Sequence, residues 1–78
     1  MWYVYVLRSV SFKKSYVGCS DNVERRLAEH NSGKSSYTRK YKPWEILKTE
    51  KFKTYNEARK RERFLKTGMG RPELKKLF

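Results

Sequence analysis

The run Trp2-Tyr3-Val4-Tyr5-Val6-Leu7 constrains the architecture most, because no other stretch of this sequence stays apolar for so long. Consecutive β-branched, aromatic and aliphatic residues read as a strand. Alternation sends Trp2, Val4 and Val6 to one face and Tyr3, Tyr5 and Leu7 to the other. Both faces need cover, which places the strand in the middle of a sheet with a helix on at least one side. A chain of 78 residues has room for one domain, residues 1–78, and for a compact core. Only 37% of the residues are hydrophobic, but six Tyr, four Phe and two Trp can fill a small core efficiently.

The remaining elements follow in order. Arg8 to Lys14 is polar and broken by serines, a loop that makes Ser15–Cys19 the second strand of an antiparallel hairpin. Asp21 and Glu24 form a relative of the capping box, which predicts a helix with Val23 and Leu27 toward the core. Gly33 suits the left-handed position that ends it. Lys34 to Lys42 has no period and reads as a basic loop. Pro43 introduces a third strand, Trp44–Glu50. Thr54 and Glu57 make a T-x-x-E box for a second helix through Leu65, ending at Gly68. Pro72 fits the first turn of a short last helix. The expectation is an α+β fold, order β-β-α-β-α-α, with a three-stranded, mainly antiparallel sheet flanked by helices.

The formal net charge of +12 is uneven: five basic and three acidic residues before Lys34, fifteen and five from there on. Such an excess repels itself in the folded state, so an anionic partner is its natural explanation, nucleic acid before an acidic membrane surface. The longest apolar run is far too short to span a bilayer and lacks the features of a signal peptide, so the expected location is cytoplasmic, without a membrane partner. One cysteine, Cys19, forms no internal disulfide, and with one histidine it makes no zinc site.

Helical spacing puts Tyr55, Ala58, Glu62 and Leu65 on one inward face. A carboxylate there is costly unless it meets a cation or a metal, and spacing leaves both open. Arg26 and His30 lie four apart: either a phosphate-gripping pair or part of a solvated helix face. Tyr5 and Tyr16 are either ordinary strand aromatics or hydroxyls gathered over one end of the sheet, with Gly18 leaving room for a substrate or for close packing. Lys34, Arg39, Lys40 and Lys42, interleaved with Tyr37 and Tyr41, would give nucleic acid affinity without sequence specificity.

Taken together, these residues resemble the GIY-YIG nuclease domain. Tyr3-Val4-Tyr5 stands at the first signature, with Tyr in place of the opening Gly, and Tyr16-Val17-Gly18 is close to the second. Arg26 and His30 match the helix motif, and Glu62 the carboxylate of the later helix. The likeness covers nearly the whole chain and is greatest to small stand-alone bacterial members, relatives of the catalytic domains of homing endonucleases and of the excision-repair nuclease subunit. It implies a Mg²⁺- or Mn²⁺-dependent endonuclease that hydrolyses phosphodiester bonds in DNA, in repair or recombination. Glu62 would hold the metal, Tyr5 would accept the proton of the attacking water, and Arg26 would neutralise phosphoryl charge. Tyr16 and His30 would orient the phosphate or the water. The sequence lacks an asparagine beyond Asn56, where many larger members have one past the catalytic glutamate. The alternative is a non-catalytic or partner-activated nucleic-acid-binding module of the same fold, a protein partner then supplying the targeting.

Overall fold

In the computed structural model, which describes residues 1–77, the apolar run forms β1 (Trp2–Ser9), the middle strand of a three-stranded antiparallel sheet. Strand β2 (Ser15–Ser20) pairs with it on one side, setting Tyr5 opposite Gly18 and Leu7 opposite Tyr16. Strand β3 (Trp44–Phe52) pairs on the other side, with one irregularity in register between Val6 and Leu7. The order β2-β1-β3 leaves β1 alone without an open edge.

Helix α1 (Val23–Ser32) starts one residue later than expected. Its cap is Asn22, whose side chain accepts the Arg25 N–H at 3.0 Å. Ser20 explains the shift, since its hydroxyl accepts the Asn22 N–H and holds that residue extended. Asp21 instead pairs with the Arg25 guanidinium. Gly33 ends the helix at φ 89°, and its N–H meets the Glu29 and His30 carbonyls. The basic loop that follows contains a single 3-10 turn, Thr38–Tyr41, and a cis Lys42–Pro43 peptide.

Helix α2 (Tyr55–Lys66) is capped as expected: Thr54 Oγ1 accepts the Glu57 N–H and donates to the Glu57 carboxylate. It ends at Thr67 rather than Gly68, because the Thr67 N–H turns back to the Phe64 carbonyl. Helix α3 (Arg71–Lys75) carries Pro72 in its first turn. The two faces of β1 receive different cover. Val4 and Val6 pack with Val17, Ala58 and Leu65, and Tyr5 and Leu7 pack with Trp44, Val23 and Leu27. Each fully buried valine or leucine among them contributes about 1.5–3 kcal/mol. Tyr55 departs from the expected inward face; it is 46% exposed and lies edge-on against Trp2 instead. Among the described residues no helix is long and apolar enough to cross a membrane.

Candidate active site

Tyr5 is 1% exposed, and its ring lies across Gly18 of the neighbouring strand. A β-carbon at position 18 would approach the Tyr5 hydroxyl oxygen to 2.4 Å, so this glycine serves close packing. The hydroxyl is 3.2 Å from His30 Nε2, and His30 Nδ1 is 2.8 Å from Thr38 Oγ1. His30 is 1% exposed and Thr38 fully buried. Burial, reinforced by the nearby Arg26 charge, pushes the His30 pKa below its usual value, so the ring is neutral at neutral pH. A neutral imidazole donates through one nitrogen and accepts through the other. The Tyr5 hydroxyl donating to Nε2, with Nδ1–H donating to Thr38, satisfies all three groups. His30 therefore faces the core, not solvent, and holds Tyr5.

Thr38 carries no signal of its own in an aperiodic loop. It is fixed from outside, because the Trp44 indole N–H donates to its carbonyl at 2.7 Å. A signal for His30 did exist: Val23, Leu27 and His30 continue one helical stripe.

Burial raises the Tyr5 pKa, opposed by the adjacent Arg26 and assisted by the neighbouring Tyr16 and, least, by the charge of Glu62. The phenol stays protonated at neutral pH. Arg26 is partly buried, and its Nη1 also reaches Glu29 Oε1 at 2.5 Å. Tyr16 stacks obliquely on His30, with ring centroids 4.7 Å apart. The fold thus gathers Tyr5, Tyr16, Arg26 and His30 from two strands and one helix.

Glu62 comes from α2, whose apolar residues cover the opposite face of the sheet. It is 7% exposed, and its charge raises the pKa of Cys19 on edge strand β2, after the larger effect of burial there. Both oxygens are engaged: Oε1 by Arg59 Nη1 at 3.0 Å and Oε2 by Lys66 Nζ at 2.8 Å. Lys66 Nζ also lies 5.8 Å from the Tyr16 ring centre, which links the acid to the tyrosine side of the site. The cation that the sequence left open as a partner for Glu62 is thus present, as Arg59 three residues before it and Lys66 four after it on the same helix.

Among the described residues no group of three or more His, Cys, Asp or Glu is placed to hold a metal. A single carboxylate such as Glu62 would suit a hard ion that keeps most of its water, as Mg²⁺ does. Lys34, Arg39, Lys40 and Lys42 are all exposed, and among the described residues none is in an ion pair.

A family model described as the GIY-YIG catalytic domain matches residues 1–75. The chain belongs to the GIY-YIG family. Membership implies a nuclease in general, with a nucleic acid substrate and dependence on a divalent metal. This GIY-YIG chain is 44% identical over 66 residues to a UPF0213 protein of Natronomonas pharaonis, covering 83% of this chain and 76% of the relative. It is 38% identical to a UPF0213 protein of Halobacterium salinarum over the whole of both chains. The solution NMR structure of a UPF0213 protein from Bacillus halodurans superimposes with a TM-score of 0.56 at 32% identity. That match covers 99% of this chain and 85% of the other. The expected α+β arrangement of a three-stranded antiparallel sheet with helices is thus the observed one.

Proposed function

We propose that this chain is a single catalytic domain, a metal-dependent endonuclease that hydrolyses phosphodiester bonds in DNA, serving repair or recombination in the cytoplasm. The observation that carries the reading is the buried Tyr5–His30–Thr38 hydrogen-bond chain beside the Arg26 guanidinium. A solvated helix face or a plain aromatic core has no need of it. Tyr5 receives a proton from the attacking water as its own passes to the neutral His30 Nε2, and Thr38 holds the imidazole in place. This route suits a phenol whose raised pKa keeps it from acting as a standing phenolate. Arg26 stabilises charge developing on the phosphoryl oxygens, and Tyr16 orients the phosphate. Glu62 is the group that would hold Mg²⁺ or Mn²⁺, which when bound supplies Lewis-acid polarisation of the phosphate. Lys34, Arg39, Lys40 and Lys42 contact the backbone.

One observation favours a second reading, a non-catalytic or partner-activated binding module: the Glu62 carboxylate already holds two side-chain cations. Cleavage of labelled single-stranded, duplex, flap and branched DNA with Mg²⁺ or Mn²⁺ separates the two. The nuclease reading expects metal-dependent products, lost in Glu62→Gln and reduced about 10²–10⁴-fold in Tyr5→Phe. Tight binding without products from any substrate favours the module, and equal cutting by Glu62→Gln removes the metal role of that residue.

A further inference from the structure

A groove of about 1000 Å³ opens between the β1–β2 hairpin loop and the C-terminal end of the chain, with Tyr16 in its wall. This is the upper end of the volume that ordinary ligand pockets enclose. Val17 and Leu65, both buried, and Leu74 make part of its wall apolar. Phe12 and Tyr37 also line it, and they remain 50% and 43% exposed. Lys13, Lys14, Arg71 and Lys75 stand around them, and the lining holds no Asp or Glu. Among the described residues these four cations form no ion pair.

The aromatic residues form a continuous series. Phe12 meets Tyr41 at 5.5 Å between ring centres, Tyr41 meets Tyr37 at 5.3 Å, and Tyr37 meets Tyr16 at 6.3 Å. Tyr16 in turn rests on His30. Exposed rings, and cations that form no ion pair among the described residues, therefore lead from the hairpin loop to Tyr16, the residue of the site that lines the groove.

We propose that this groove binds an unpaired strand of nucleic acid and brings its phosphate to Tyr16. The inference rests on the nuclease reading and narrows its substrate to one with a single-stranded segment. The charge excludes an acid-poor peptide or a second copy of this basic chain as the natural occupant, and it favours a polyanion. The rings select among polyanions. Bases in a duplex are stacked on one another and offer their edges, whereas an unpaired base offers a face to an aromatic side chain. Lysines and arginines around the rim meet the phosphates that run beside those bases.

The test is fluorescence anisotropy with a labelled oligothymidylate and a duplex of equal length, in chelator so that neither is cut. The expected result is single-strand binding about tenfold or more tighter than duplex binding. The Phe12→Ala/Tyr37→Ala double variant should lose that preference and keep its duplex affinity. Phe12→Tyr/Tyr37→Phe, which retains both rings, should keep the preference, and this guards against a variant that merely misfolds. Equal affinity for the two forms in the wild type, or an undiminished preference in the double alanine variant, overturns the proposal. Duplex cleavage that depends on Glu62 would stand after such a failure, so the groove can fall without the nuclease. A preference that holds where no substrate is cut supports the groove and counts against the nuclease alone.

Discussion

A methyl group at position 18 would meet the Tyr5 hydroxyl, and Tyr5 cannot step aside without leaving His30. Gly18→Ala is therefore expected to cost about 1–3 kcal/mol by overpacking, read as a shift in the urea midpoint. Cleavage should fall further than that loss of stability explains, because the displaced group is the one proposed to handle the proton. A variant that is destabilised but cuts normally would remove Tyr5 from the chemistry. His30 makes a prediction in pH. Its folded pKa lies below the unfolded value of about 6.5, so the unfolded chain binds a proton that the folded one refuses. The stability this neutral ring provides is complete above that pH and is lost as pH falls through and below it. His30→Gln should flatten the slope of unfolding free energy as pH falls below about 6.5. Glu50, held low by Arg61, weakens the fold only at more acid pH, so the two effects separate. An unchanged slope in the variant would place the titration elsewhere. At this scale the sequence named Tyr5, Tyr16, Arg26, His30 and Glu62 through signature spacing, but it hid Thr38, whose position depends on Trp44 across the loop.

The elements were legible wherever a local rule decided them. Alternation found β1, and the T-x-x-E box found α2, because each signal lies within a few residues of what it specifies. The start of α1 was displaced because Asp21 and Asn22 are comparable caps and a side chain upstream, Ser20, chose between them. Nothing local shows how β3, α2 and α3 are tied together. Arg61 does this, with two bonds to Glu50 of β3, at 2.7 and 3.1 Å, and two to Glu73 of α3, at 3.0 and 2.9 Å. The Arg61 side chain is only 24% exposed and that of Glu50 21%, so their pair is partly shielded from solvent. Arg61→Ala should lower stability by about 1.5–3 kcal/mol, and Arg61→Lys should recover little, lacking the planar fork. Chemical denaturation of the two variants beside wild type checks this, and a lysine variant as stable as wild type would refute the bidentate role.

Across the whole molecule, charge was legible as an excess but not as a distribution. The sequence gives twenty basic residues, and only the fold shows which of them meet acids and which surround the groove. Two of those that meet acids, Arg59 and Lys66, share a single carboxylate. Loading a divalent ion at Glu62 would then be an exchange, since two tethered monocations must let go for one ion to enter. Lys66, standing in the groove wall, would be released toward phosphate. Linkage makes such an exchange reciprocal: whatever factor an uncut strand adds to the affinity for Mn²⁺, Mn²⁺ adds to the affinity for the strand. Titrating Mn²⁺ with and without a non-hydrolysable strand should show tightening, and Lys66→Met should diminish it. Independent binding of the two would mean that the cations stay where they are. With coupling, the resting protein is protected by its own side chains and becomes fit for metal only where there is a strand to cut.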